Sequence, residues 1–298
     1  MSIIVLGGEG LLGKRIVLRM KQGGHNIKSI SRKDTADIVI NNYTADQIKE
    51  CIELERVSHI INTTALTDVN ECEVNKDLAR KINIGICEEI SSMQSNYQFK
   101  LIHISTDQVY SGDGPHSENF AQPINYYGKT KLEGEKVLGK DNCIILRTNF
   151  IGKSLSLKPS YTDWLISQSK KKELMKISRS KFSPITIGYL TNIIEQICFK
   201  YNINGVYNLG SKWSINKLSF TKEFVKKQIG DDKINLISYQ TLDKNIQQDS
   251  FIALRPKDMS LDCSKFEKHT GVILPNPKEV MNKLLLEYKD INDNEIFR

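Results

Sequence analysis

No apolar stretch in the sequence approaches the length that spans a bilayer, and the apolar opening, residues 1–8, gives way to glycine and then charge. The opening lacks the basic start and longer apolar run of a secretory signal, so the chain reads as cytoplasmic. Its six cysteines, Cys51, Cys72, Cys87, Cys143, Cys198 and Cys263, never fall in C-x-x-C spacing. That argues against a zinc site and against a disulfide framework, so the expectation is reduced, buried thiols and no metal. Long runs of one charge are missing too. The net charge is +7, yet the longest basic run is Lys170-Lys171-Lys172, which fits a solvated helix face. Without an aromatic-basic platform nucleic acid is a poor partner, and a modest positive field suits a phosphorylated substrate and cofactor. No internal repeat is visible, and a hydrophobic fraction of 39% is enough for a sizeable core.

What is present is alternation. Residues 2–6, 26–30, 37–40, 58–62, 101–105 and 143–147 read as short apolar strands, and 11–20, 47–54, 77–93 and 126–138 as helices. Strands alternating with helices predict an α/β fold, a Rossmann-like, doubly wound parallel sheet with helices on both faces. After Phe150 the regularity weakens, although 206–209 still reads as a strand and 280–288 as a closing helix. The expected organisation is an NAD(P)-binding Rossmann domain over 1–150 and a smaller, mainly substrate-binding C-terminal region over 151–298. Some segments of that region are expected to return to the first domain.

Gly7-x-x-Gly10-x-x-Gly13 stands where the first strand ends and a helix begins. Glycine permits the tight turn and lets the main chain approach a pyrophosphate, which the helix N-terminus faces with free N–H groups and partial positive charge. A tight loop without a ligand is the bland alternative; the strand-turn-helix context favours the ligand. The spacing resembles that of the short-chain dehydrogenases, and it assigns dinucleotide contacts to Gly7, Gly10, Leu11, Leu12 and Gly13. At the end of the second strand an acidic residue would bond the ribose of NAD, whereas a basic one accommodates the extra phosphate of NADP. Ser31-Arg32-Lys33 favours NADPH, with NADH the other candidate because Asp34 follows directly.

Tyr127 and Lys131 lie four residues apart in YYGKTKLEGE, on one face of a helix. A tyrosine near its reference pKa of about 10 exchanges protons poorly at neutral pH, and a neighbouring ammonium is expected to lower it. The pair makes a general acid, with a lysine that can also hold ribose hydroxyls. The same spacing recurs on ordinary helix faces. What strengthens it is Ser105-Thr106-Asp107 at the end of a strand, because open parallel sheets bind ligands beyond the carboxyl ends of their strands. A hydroxyl there can hydrogen-bond a carbonyl oxygen while the tyrosine protonates it. His103, inside that strand, is expected in or near the core rather than as a base.

HISTDQVYSGDG, then YYGKTKLEGEKVL and ILRTNF, together resemble the dTDP-4-dehydrorhamnose reductase family, a group of extended short-chain dehydrogenases. The similarity takes in 60–65, ALRPKDMSLDCSKF and the final helix, and so covers essentially the whole chain. The resemblance implies NAD(P)H and reduction of the 4-keto group of a deoxy sugar linked to a nucleotide diphosphate, supplying sugars for cell-surface polysaccharide. It gives Thr106 the hydrogen bond to the keto oxygen, Tyr127 the proton donation and Lys131 an assisting role. It places Thr67, Val69, Asp107 and Phe150 in the sugar pocket and Arg255 near the nucleotide. Asn62, Thr63, Thr64 and Ala65, with Tyr127 and Lys131, fall at the dinucleotide. The family usually has small alanines where Thr63 and Thr64 stand, and some members carry tryptophan where Phe150 stands.

One difference separates reaction classes. Similar 4,6-dehydratases read Thr-Asp-Glu where this chain reads Thr106-Asp107-Gln108, and an amide cannot accept the proton that such a base removes. Reduction therefore outranks dehydration, and Glu118 in the following loop receives no catalytic role. Two other classes stay open. One is an epimerase or dehydratase of the same superfamily, which would retain its dinucleotide through purification. The other is a non-catalytic NADP-binding regulatory subunit, the role a related protein has for methionine adenosyltransferase. The expected partner is a nucleotide-sugar, with no nucleic acid and no membrane; a homodimer stays open.

Overall fold

The computed structural model describes residues 2–94, 96–139, 141–239 and 253–289. Six strands in the first half are β1 (Ser2–Leu6), β2 (Asn26–Ser31), β3 (Ile38–Val39), β4 (Val57–Asn62), β5 (Lys100–Thr106) and β6 (Cys143–Thr148). With Gly205–Leu209 they form a seven-stranded sheet in the order Gly205–Leu209, β6, β5, β4, β1, β2, β3. Every neighbouring pair in it is parallel.

Alternate residues of β1 enter opposite apolar layers. Ile3 and Val5 join the layer containing Ile16 of helix Leu11–Gln22 and Ile194 of helix Ile187–Phe199. Ile4 and Leu6 join the layer containing Ile48 of helix Ala45–Glu55 and Ile90 of helix Ile86–Gln94. Side chains that alternate between two covered faces must be apolar throughout, which is why the central strands read as unbroken apolar runs. Strand order reverses at β1, between β2 and β4, and such a switch point opens a crevice beyond the carboxyl ends of the strands.

The helix expected over 77–93 is interrupted. Lys76–Arg80 and Ile86–Gln94 are joined by a π-helical turn, Lys81–Gly85. Asn83, buried within that turn, accepts from Leu66 N–H at 2.8 Å and donates to Leu66 O and Thr130 Oγ1. The turn thereby ties the loop after β4 to helix Tyr126–Leu138.

Beyond Ile151 a further apolar cluster, including Leu165, Phe182, Phe220, Phe224 and Leu284, forms its own small core. Buried Arg15 of the first helix reaches it, donating to Lys153 O at 2.9 Å and pairing with Glu287 at 3.6 Å. Lys170, Lys171 and Lys172 are exposed at the end of helix Tyr161–Lys171, where cations meet the negative end of the helix dipole. All six cysteines are buried and unpaired. No helix among the described residues is long and apolar enough to cross a membrane.

Candidate active site

Strand register brings the glycine turn, β2 and β4 to one level, since Leu6 lies opposite both Ile30 and Asn62. Gly7 adopts φ 78°, a left-handed conformation that glycine takes without strain, and donates its N–H to Ile30 O at 2.9 Å. A side chain at Gly13 would run into the Gly7 carbonyl, so the helix can sit this close to the turn only with glycine there. Gly10 is different. As N-cap it has φ −77°, and an added Cβ would meet only Gly7 O at 3.1 Å. The helix has no side-chain cap and no acidic residue in its first turn, so its N–H donors stay available for an anion.

In front of this turn lies a cleft of about 910 Å³, lined in part by Gly7, Gly10, Ser31, Arg32, Lys33, Thr63, Thr64 and Ala65. Leu11 is half-buried and Leu12 packs into the core, so neither side chain is part of the cleft lining. Arg32 and Lys33 are exposed, while buried Ser31 accepts from Lys33 N–H at 3.1 Å. Tyr43, Glu9, Lys158 and residues of the π turn also line the cleft, and none was expected from the sequence. Glu9 accepts from the Thr35 hydroxyl at 2.9 Å and lies 3.5 Å from Lys14.

Asn62 lies behind the cleft rather than in it. Its Oδ1 accepts from Thr64 N–H at 3.0 Å and from the Thr64 hydroxyl at 2.5 Å. Across the β4–β5 ladder Asn62 is in register with His103, and its Nδ2 is 3.2 Å from His103 Nδ1. His103 is 1% exposed, and its other nitrogen, Nε2, is 3.1 Å from Lys131 Nζ.

Helix Tyr126–Leu138 starts at Asn125, whose side chain accepts from Gly128 N–H, while Glu73 accepts from Tyr126 N–H at 2.7 Å. These caps set Tyr127 against the end of β5, where its hydroxyl is near the Thr106 side chain. Burial pushes the Tyr127 pKa well above the usual range; the nearby Thr106 hydroxyl opposes this, and Asp107 adds to it. The expected lowering by Lys131 is not what the structure shows. The amine is directed into the sheet, 2.8 Å from Ile104 O, and burial pulls its own pKa down. With the amine bonded into the strand, burial rather than Lys131 dominates at the phenol.

Thr106 also accepts from Gln108 N–H at 3.1 Å, which fixes its rotamer. The Gln108 amide turns away, accepting from Asn125 and approaching Met259. Asp107 is buried, and desolvation pushes its pKa up to about 6 against the Asn149 amide, which donates to it at 2.6 Å, and against Lys217. Lys217 opens a helix in the C-terminal region, its ammonium 4.3 Å from the Tyr161 ring centroid. Burial first, then Arg255, push its pKa down to about 8, while Asp107 opposes the shift. Nothing in the sequence around Lys217 marks it out from any other helix-opening lysine.

The remaining residues expected in the sugar pocket, and Arg255, expected near the nucleotide, are spread around this point. Val69 is buried in one apolar cluster with Tyr127, Cys72, Ala79 and Ala253. Thr67 is exposed and accepts from Lys158 Nζ at 2.6 Å. Arg255 is exposed, with its charge near Asp68. Phe150 follows Asn149, begins a two-residue strand beside Ile185, and packs partly against the core. Glu118 is structural in its contacts, accepting from Asn208 N–H and, through its carbonyl, from Arg147.

Fold and constellation together define an α/β protein of the extended short-chain dehydrogenase type. The chain belongs to the family described as RmlD substrate binding domain, whose model matches residues 1–289. It is 25% identical over 305 residues to the "Probable low-salt glycan biosynthesis reductase Agl14" of Haloferax volcanii, covering 97% of this chain and 99% of that protein. It is 24% identical to the dTDP-4-dehydrorhamnose reductase of Salmonella typhimurium, covering 96% and 98%. Among solved structures, dTDP-4-dehydrorhamnose reductase from Bacillus anthracis in complex with NADP superposes with a TM-score of 0.83 at 22% identity, covering 96% of this chain and 100% of that one.

Proposed function

We propose that the chain is an NAD(P)H-dependent reductase of the 4-keto group of a deoxy sugar carried on a nucleotide diphosphate, a step in supplying sugars for cell-surface polysaccharide. The observation that carries this reading is the buried Tyr127–Thr106 hydroxyl pair at the carboxyl end of β5, beside the glycine-turn cleft. The names of the Haloferax and Salmonella relatives support the same chemistry.

The glycine turn fits a dinucleotide, because at Gly10 a side chain would meet nothing but the Gly7 carbonyl, and the helix behind it has no cap of its own. Gly7, Gly10 and Gly13 would hold the pyrophosphate, Arg32 and Lys33 the extra phosphate of NADPH, and Thr63, Thr64 and Ala65 the neighbouring sugar. Reduced nicotinamide, when bound, supplies the hydride. Negative charge then grows on the keto oxygen, and stabilising it requires a hydrogen bond and a proton present at the transition state. Thr106 donates the hydrogen bond. Tyr127 gives the proton, and the burial that raises its pKa keeps it protonated until that charge appears. Asp107 and Asn149 face the sugar hydroxyls, while Lys217 and Arg255 bring two positive charges toward the diphosphate. With the Gln108 amide directed at Asn125, the position used as a base in dehydratases has no carboxylate.

A panel of nucleotide-linked 4-keto sugars, with NADPH consumption followed by absorbance, tests the reading. Stoichiometric oxidation with one or more members is expected. Conversion of the sugar with no net loss of NADPH would make the protein an epimerase or dehydratase instead.

A further inference from the structure

The hydrogen bonds running from the cleft to Lys131 have only one consistent set of directions. Thr64 N–H can only donate, so the Asn62 atom at 3.0 Å from it is the carbonyl oxygen. The Asn62 NH₂ group is therefore the one facing His103 Nδ1, which must be bare to accept from it. A neutral imidazole with a bare Nδ1 carries its hydrogen on Nε2, and that hydrogen points at Lys131 Nζ, 3.1 Å away. Only an uncharged amine has a lone pair to accept it. The amine's own N–H goes to Ile104 O.

The surroundings of Lys131 agree. Burial, and then Lys131 itself, hold His103 well below its usual pKa, so the ring is neutral. Cys87, from the adjoining helix, is pushed up to about 11 by burial and carries no charge at neutral pH. On the lysine's own helix Tyr127 stays protonated, and the Glu135 carboxylate is already clasped by Arg147. An ammonium here would have no free counter-ion among the described residues.

We propose, on the reading of the cleft as a dinucleotide site, that Asn62 and His103 couple dinucleotide binding to the charge of Lys131. A charged Lys131 requires a bare Nε2, hence a hydrogen on Nδ1 and an Asn62 amide turned to present its oxygen there. That turn strips the Thr64 N–H and hydroxyl of their acceptor. Thr64 lines the cleft, so a ligand rich in acceptor oxygens can take over both donors and release the amide. One proton enters from solvent onto Nζ, and the imidazole hydrogen moves from Nε2 to Nδ1 by exchange, so the net change is a gain of one proton. His103 and Asn62 are positioning residues in this scheme. Thr64, where the family usually has alanine, contributes the second bond that fixes the amide.

Isothermal titration of the protein with NADPH, in buffers of different ionisation heat at about pH 8, reads the proton directly. Uptake of about one proton per dinucleotide is expected, falling as the pH is lowered through the pKa of the free lysine. His103→Gln offers the amine a carbonyl in both states, so uptake should fall to below about a fifth of a proton while affinity stays within about tenfold. The wild type alone also decides the matter if that variant fails to fold: ¹⁵N spectra should show His103 protonated on Nε2 in the free protein and on Nδ1 in the complex. Normal NADPH binding without proton uptake, or unchanged His103 nitrogens, overturns the coupling and leaves the reductase reading intact. Failure to bind NADPH at all removes both.

Discussion

Arg147 of β6 clasps Glu135 of the Tyr127 helix with three hydrogen bonds between 2.6 and 3.1 Å, both side chains buried. Ser105, the residue before Thr106, donates to the same carboxylate. The ion pair thus fixes the helix carrying Tyr127 against the strands, one of which ends at Thr106. Removing one member of a buried pair leaves an uncompensated charge, which costs about 3–5 kcal/mol. Glu135→Leu should lose that much in chemical denaturation, and adding Arg147→Met should recover most of it. A loss under about 1 kcal/mol, as for an exposed pair, would mean that the pair does not fix the helix.

Arg32 and Lys33 are expected to set the choice of dinucleotide. Both are exposed at the rim of the cleft, one residue past the end of β2 and beyond. A hydrogen bond to a charged group contributes about 1.5–3 kcal/mol, so replacing both by alanine should weaken NADPH about tenfold or more while NADH changes little. Fluorescence titration of both dinucleotides measures it. Equal loss for the two would remove the role assigned to these cations.

Gly10 is the glycine of the turn that the fold itself needs least, having ordinary φ and few neighbours. Gly10→Val should stay folded, with a modest loss in unfolding midpoint from the tight contact with the Gly7 carbonyl, and lose dinucleotide binding, because the new side chain would occupy the place proposed for the pyrophosphate. Normal NADPH affinity in a folded Gly10→Val protein would show that the turn holds no phosphate.

Much of this was legible in the chain. The strands announce themselves because residues buried on both faces must be apolar without interruption, and helix Tyr126–Leu138 has the bounds the pattern predicts. Thr106 closes β5 itself, one residue beyond the apolar run that marks the strand. What could not be read depends on distant segments meeting. Lys217 reaches Asp107, and Lys158 reaches Thr67, only through packing of the C-terminal region. The π turn leaves the apolar period of its helix nearly unchanged, so the pattern cannot report it. His103 reads as a core residue and is buried as such, but only register across β4 and β5 shows that it meets Asn62 and Lys131.

Asp107 should make stability depend on pH in the direction opposite to a salt-bridged carboxylate. Its folded pKa, about 6, lies above the ordinary 3.8, so the protonated form is favoured in the native state. Stability from this group is complete below the ordinary value and is lost as pH rises toward and through 6. Asp107→Asn lacks the penalty. It should be more stable than wild type by up to about 3 kcal/mol near neutral pH, with the difference vanishing at about pH 4. Urea midpoints at the two pH values decide it; a difference that grows on acidification would mean that the carboxylate is held by charge rather than burial.

The proposed chemistry rests on Tyr127. Its ring packs with Val69, Cys72 and Ala79, and Tyr127→Phe keeps that ring while removing the hydroxyl near Thr106. General acid catalysis contributes about a hundred- to ten-thousandfold, and turnover should fall by that factor. NADPH affinity should be preserved, because the glycine turn and Arg32-Lys33 are untouched. Since the phenol is buried and its pKa raised, the wild-type rate should not fall with rising pH through deprotonation of Tyr127 anywhere near neutrality. Steady-state turnover of both proteins on the keto sugar accepted in the panel, with dinucleotide titration as control, measures these effects together. Turnover of the phenylalanine variant within a few-fold of wild type would assign the proton to another donor, and the reductase mechanism built on Tyr127 would fail even with the fold unchanged.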